Sequence, residues 1–118
     1  MAAHNDLGRL GEQLAADWLV ERGFTVLERN WRHSRAEVDI IACRARTLHF
    51  IEIKTRSSSA FGLPETAVTT RKILQLMGAG AAYQEQYPGW KRVQYDILSV
   101  MLNRKQNAEY FFVEDIYS

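Results

Sequence analysis

Two apolar runs on either side of a short polar break constrain this chain more than any other feature. Residues 37 to 43 read Glu-Val-Asp-Ile-Ile-Ala-Cys, and residues 48 to 54 read Leu-His-Phe-Ile-Glu-Ile-Lys. Both are short and β-branched, so they predict two strands joined as a hairpin. With the turn at Arg44 to Thr47, Cys43 opposes Leu48. The same register sets Asp39 opposite Glu52 and Glu37 opposite Lys54. Opposed residues leave a sheet on one face with Cβ atoms about 5 Å apart. Period-two geometry puts Lys54 on the Glu52 face as well. The other face carries Val38, Ile40, Ala42, His49, Ile51 and Ile53, which suits a core. A one-residue slip would bury the charges instead, so burial specifies this register.

The elements around the hairpin follow from their periods. Leu7, Leu10, Leu14 and Trp18 recur at helical spacing and predict a helix over residues 6 to 22, with Asp6 as N-cap and Gly23 as its stop. Phe24 to Asn30 reads as a strand. Ser57 to Pro64, with three serines, a glycine and a proline, reads as a loop. A second helix is expected from about Thr69 to Gln86. Ile73, Leu76, Met77, Gly80, Tyr83 and Tyr87 should mark its buried side, and Pro88-Gly89 should end it. Strands near 92–101 and 109–116 complete the order α-β-β-β-α-β-β. This is an α/β fold, a mixed sheet flanked by helices, and a single domain over residues 1–118.

Composition narrows the classes of function. The chain has 118 residues, a net charge of +1 and one cysteine. No run reaches the roughly eighteen apolar residues of a membrane span, so no membrane role is expected. The polar start, Met1 to Asp6, has no signal-peptide pattern, and the lone Cys43 makes neither a disulfide nor a zinc-site spacing. A cytoplasmic setting is the expectation. Basic residues group locally rather than in sum: Arg29, Arg32, His33 and Arg35 lie together, Arg44 and Arg46 follow, and Lys54, Arg56, Arg71 and Lys72 come later. Each group could face phosphates or simply be a solvated surface.

Carboxylates as close as Asp39 and Glu52 repel, and both stay ionised when a divalent cation lies between them. Oxygen ligands of this kind suit Mg²⁺ or Mn²⁺. Such a cation acidifies water and offsets charge on a phosphodiester, and Lys54 is placed to steady the developing negative charge. The same residues also fit a solvent-facing set of cross-strand ion pairs, Glu37 with Lys54, with Asp39 merely exposed.

Four motifs taken together carry a resemblance. Gly11 to Ala16 (Gly-Glu-Gln-Leu-Ala-Ala), Glu37-Val38-Asp39, Phe50 to Arg56 (Phe-Ile-Glu-Ile-Lys-Thr-Arg) and Arg71-Lys72 resemble the YraN-like family of small bacterial proteins, from Leu7 to about Val113. That family is placed in the restriction-endonuclease-like, PD-(D/E)xK superfamily and resembles archaeal Holliday-junction resolvases. The resemblance implies a metal-dependent DNA endonuclease, acting on branched or structured DNA by analogy. It makes Asp39 and Glu52 metal ligands, Lys54 the catalytic lysine, and Glu12 the helix glutamate that completes the site. Glu37 matches an accessory acidic position, and Ala36 stands where the family has glycine.

Phosphate contacts are expected from Arg32, Arg35, Arg56, Arg71 and Lys72, with Gln75 lining the groove. Cutting both strands of a duplex would require a symmetric homodimer. His33 could touch phosphate or be a surface side chain. His49, Cys43, Trp18 and Tyr83 read as packing residues, and Trp31 and Trp90 could pack or stack on a base. A non-catalytic nucleic-acid-binding module of the same fold, or a protein-interaction domain, remains the alternative.

Overall fold

Small residues set how the first helix meets the sheet. The computed structural model describes residues 2–57, 69–103, 105 and 107–116. Helix α1 (Ala2–Glu21) lays Gly11, Ala15, Ala16 and Leu19 onto the sheet. A Cβ on Gly11 would lie 1.8 Å from Thr55 Oγ1, so only glycine allows this approach. The predicted stripe is therefore rotated: Leu10 is exposed, and Leu7, Leu14 and Trp18 pack only at the margin. The helix begins before Asp6, so Asp6 is not its cap. Gly23 does stop it, at φ 91°.

Five strands follow in the predicted order, with α2 between the third and fourth. They are β1 (Thr25–His33), β2 (Ala36–Arg44), β3 (Thr47–Ser57), β4 (Arg92–Leu102) and β5 (Ala108–Val113), and α2 is Thr70–Gln86. They pair in sequence order, β1-β2-β3-β4-β5. Among the described strands only β3 and β4 run parallel, because α2 is the crossover between them. The sheet is thus mixed and flanked by two helices, consistent with a restriction-endonuclease-like fold. Strand β5 ends at Val113, short of the expected Ile116. The expected loop from Ser57 lies outside the described residues, apart from Ser57 itself, which ends β3.

The β2–β3 register agrees with the expected one, pairing Cys43 with Leu48, Ala42 with His49 and Ile40 with Ile51. Its turn is tighter than expected. Arg44 pairs with Thr47, leaving a two-residue loop of Ala45 and Arg46 with φ 51° and 67°. Two positive values in succession match the hairpin turn that follows strand twist, here made without the usual Asn-Gly.

Both faces of this hairpin are buried. Ile40, Ala42, Ile51 and Ile53 join Ala15 and Leu19 under α1. Ile41, Leu48 and Phe50 pack with Leu76, Ala79 and Tyr83 of α2. The face with Asp39 and Glu52 is therefore roofed by a helix rather than open. On α2, Leu76, Ala79, Gly80 and Tyr83 are buried, whereas Tyr87 is exposed at the C-cap.

Candidate metal and phosphate site

Regular pairing breaks down around Asp39. The β2–β3 ladder ends at Ile40–Ile51. On the other side, Asn30 falls between the pairs Arg29–Ile40 and Trp31–Val38 and takes φ 53°. Positive φ is uncommon outside glycine, and asparagine tolerates it best. Alternation breaks here too, since Ile40 packs in the α1 cluster while Val38 packs in the α2 cluster. With the ladder ended, Asp39 Oδ2 accepts a hydrogen bond from Ile53 N at 2.8 Å. One carboxylate edge is thereby held between two strands.

A pocket of about 140 Å³ opens at this point, lined by Arg35, Glu37, Asp39, Glu52, Lys72, Gln75 and Leu76. Strands β2 and β3 supply the carboxylates. The first turns of α2 supply Lys72 and Gln75. Thr69 caps that helix, its Oγ1 accepting from Lys72 N at 3.2 Å, which fixes where Lys72 leaves the backbone. Glu52 Oε2 is shared by two ammonium groups, Lys54 Nζ at 3.6 Å and Lys72 Nζ at 3.4 Å.

Burial of one carboxyl among others dominates the electrostatics of the site. Burial, then the Glu52 carboxylate, then Glu12 and Glu37 push the Asp39 carboxyl from 3.8 up to about 7, against the Ile53 amide, which favours its charged form. Such a group awaits a proton or a cation. The donor set, two carboxylates on neighbouring strands facing a small polar pocket, fits Mg²⁺ or Mn²⁺.

The structure does not gather all the expected residues. Glu37 does not pair with Lys54, because the β2–β3 ladder has ended; it stands opposite Arg32 on β1 and bonds its Nε at 3.2 Å. Glu12 lies on α1, paired with Arg29 at 3.8 Å and outside the pocket wall, and reaches Asp39 only through space. Arg32 and Arg35 are exposed, with Arg35 on the pocket rim. Arg71 is exposed on the first turn of α2. Arg56 is half-buried, and its Nε is buried with no hydrogen-bond partner among the described residues. Lys72, expected as a peripheral phosphate contact, lines the mouth of the pocket.

A second polar group escaped the sequence reading. His49 Nδ1 lies 2.6 Å from Asp96 Oδ2, both side chains buried. Asp96 Oδ1 accepts from Gln94 Nε2 at 3.0 Å and Asp115 N at 2.8 Å. Glu114 completes a trio whose ligand atoms lie within 4.8 Å of one another. Its oxygen also meets Gln94 Nε2 at 3.1 Å and Arg44 at 3.6 Å. These donors and acceptors already satisfy one another, so the network ties the C-terminal segment to β3 and β4. The only advance signal was the aspartate in Tyr95-Asp96-Ile97-Leu98, a charge inside an apolar strand.

A further pocket, about 550 Å³, lies at the far end of the hairpin between Cys43, Arg46 and the Gly89–Arg92 segment. It contains none of the carboxylates. Among the described residues, no helix is long and apolar enough to cross a membrane.

Comparison with known proteins gives one consistent result. Residues 11–100 match the family described as Uncharacterised protein family UPF0102. A UPF0102 protein of Chlorobium phaeobacteroides is 45% identical over 105 residues, covering 88% of this chain and 83% of its own. One of Flavobacterium psychrophilum is 38% identical over 117 residues, 99% of this chain and 98% of its own. One of Mycolicibacterium vanbaalenii is 38% identical over 112 residues, covering 94% and 93%.

Proposed function

The chain belongs to the uncharacterised protein family UPF0102, the YraN family, and from that footing we propose that it is a metal-dependent DNA endonuclease. One observation carries the reading. Asp39 is a half-buried carboxyl beside Glu52, on a strand distortion that frees its side chain, with Lys54 two residues beyond Glu52 on the same face. Asp39 and Glu52 would hold Mg²⁺ or Mn²⁺. A cation there supplies water activation and charge neutralisation at a phosphodiester. Lys54 contributes a compact positive charge toward the attacking water or the phosphoryl oxygens. Arg35 at the rim, with Arg32 and Arg71 further out, meets the flanking backbone phosphates. Branched or structured DNA is the substrate suggested by the likeness to junction resolvases, and two such sites in a homodimer would cut both strands.

The test is nicking of supercoiled and branched DNA in Mn²⁺ by wild type beside Glu52→Gln. Loss of nicking in the variant, with an unchanged melting curve, supports the reading. A wild type that cuts no DNA form with either metal favours a non-catalytic nucleic-acid-binding module.

A further inference from the structure

The sharing of one carboxylate oxygen by two lysines has a consequence for the site. Lys54 reaches Glu52 Oε2 from the same strand face, and Lys72 reaches it from the opposing helix. The other two carboxylates that act on Asp39 have arginine partners, Glu12 with Arg29 and Glu37 with Arg32. Glu52 is left facing both Lys54 and Lys72, and Asp39 beside it has no ion-pair partner among the described residues. A divalent cation seated between the carboxylates would supply both positive charges itself. Both ammonium groups would then be surplus, close together and facing the position of an incoming anion.

Lys72 is the more exposed of the two. Its side chain is 47% exposed where Lys54 is 23%, and it stands at the pocket mouth beside Gln75. The capped first turn of α2 fixes its backbone, and the helix N-terminus adds a partial positive charge of its own. We propose that Lys72 is a second working lysine of this site: it pairs with Glu52 in the metal-free site, and would pair instead with a substrate phosphate when Asp39 and Glu52 hold a cation. This rests on the metal-dependent nuclease reading. It makes Lys72 at once a competitor of the metal and a ligand of the DNA phosphate.

The two roles predict effects of opposite sign, which a merely structural lysine would not produce. Lys72→Met keeps the length of the side chain and removes the charge. By calorimetry it should bind Mn²⁺ roughly three- to tenfold more tightly than wild type, the scale expected for losing one partly screened charge at short range. In Ca²⁺, under conditions with no detectable cleavage, the same variant should bind DNA more weakly by a similar factor. Lys72→Gln should reproduce both shifts and guards against a packing artefact of Met. Lys72→Arg should stay near wild type in Mn²⁺ affinity. Wild-type Mn²⁺ affinity in both neutral variants overturns the role of Lys72 and leaves the nuclease reading standing. A wild type that takes up no Mn²⁺ at all overturns the metal reading and this proposal with it.

Discussion

Asp39 Oδ2 accepts the amide hydrogen of Ile53 at 2.8 Å, across the gap where the β2–β3 ladder has already stopped at Ile40–Ile51. The strand gives up a backbone pairing, and a side-chain carboxylate takes its place. That exchange anchors one oxygen of Asp39 and turns the group toward Glu52. It also buries a carboxyl among other carboxylates, and the cost of that burial is measurable.

The Asp39 carboxyl is raised from 3.8 to about 7 by burial, by Glu52 and by the more distant Glu12 and Glu37. Between those two values the folded chain binds a proton that the unfolded chain has released. Metal-free stability should therefore fall as pH rises from about 4 to about 7, and then level off. Asp39→Asn removes the ionisation. It should leave the melting temperature at pH 4 nearly unchanged and raise it at pH 8. The interval corresponds to roughly 4 kcal/mol as a ceiling, and partial solvent access makes the realised gain smaller. Thermal melts of both proteins in EDTA at the two pH values decide it. An equal or lower melting temperature for Asp39→Asn at pH 8 contradicts the buried-charge account.

Gly11 offers a check on how α1 is seated. A Cβ there would overlap the Thr55 side chain, whose nearest atom would be 1.8 Å away. Thr55 sits next to Lys54 on β3, so α1 cannot back away without disturbing the strand that carries Glu52 and Lys54. Gly11→Val should cost about 1–3 kcal/mol, the range for overpacking a filled interface. Gly8→Ala is the control, because nothing lies within 4 Å of that position. Chemical denaturation should show a lower midpoint for the first and little change for the second.

These contacts show which parts of the molecule hydropathy could reveal. The β2–β3 register was legible because Ile40, Ile41, Phe50 and Ile51 leave few acceptable pairings once apolar residues must be buried. The seat of α1 was not. Its contact surface is built from Gly11, Ala15 and Ala16, which have little or no apolar bulk, so Leu10 and Trp18 drew the eye to a neighbouring face. The Ala45–Arg46 turn lacks the glycine that would have marked it. Glu52 and Lys54 were readable as neighbours on one strand face. The place of Lys72 depends on where the N-terminus of α2 crosses over β3, a relation set by tertiary packing. The break in the ladder at Asp39 and the His49–Asp96 pair likewise arise from contacts between segments far apart in sequence.

The His49–Asp96 pair should be purely structural. Both side chains are buried, at 4% and 0% exposure, and Asp96 also holds the Asp115 amide and Gln94. Asp96→Ala strands His49 and two further donors, which should cost on the order of 3 kcal/mol. Measured under conditions where the variant remains folded, Mn²⁺ affinity at the Asp39–Glu52 pocket should match wild type. A large loss of Mn²⁺ binding with the fold retained would move the metal to the His49, Asp96 and Glu114 trio.

Lys54 gives the sharpest separation between a reaction centre and a surface ion pair. Its ammonium lies 3.6 Å from Glu52 Oε2, an oxygen that Lys72 approaches to 3.4 Å. Stability can therefore depend little on Lys54 alone: with Lys72 still in place, Lys54→Ala should cost about 1 kcal/mol or less. In the nuclease reading the same change removes a charge that acts in the transition state, on the attacking water or the phosphoryl oxygens. Nicking of supercoiled DNA in Mn²⁺ should then fall by roughly a hundredfold or more, the scale for losing one preorganised electrostatic group. Lys54→Arg should recover little of it, because a planar, forked guanidinium does not replace a compact point charge. DNA affinity in Ca²⁺ should weaken far less than the rate. Melting curves, Ca²⁺ binding and nicking rates on the three proteins distinguish the cases. A Lys54→Ala protein that nicks as fast as wild type would end the catalytic role assigned to this lysine.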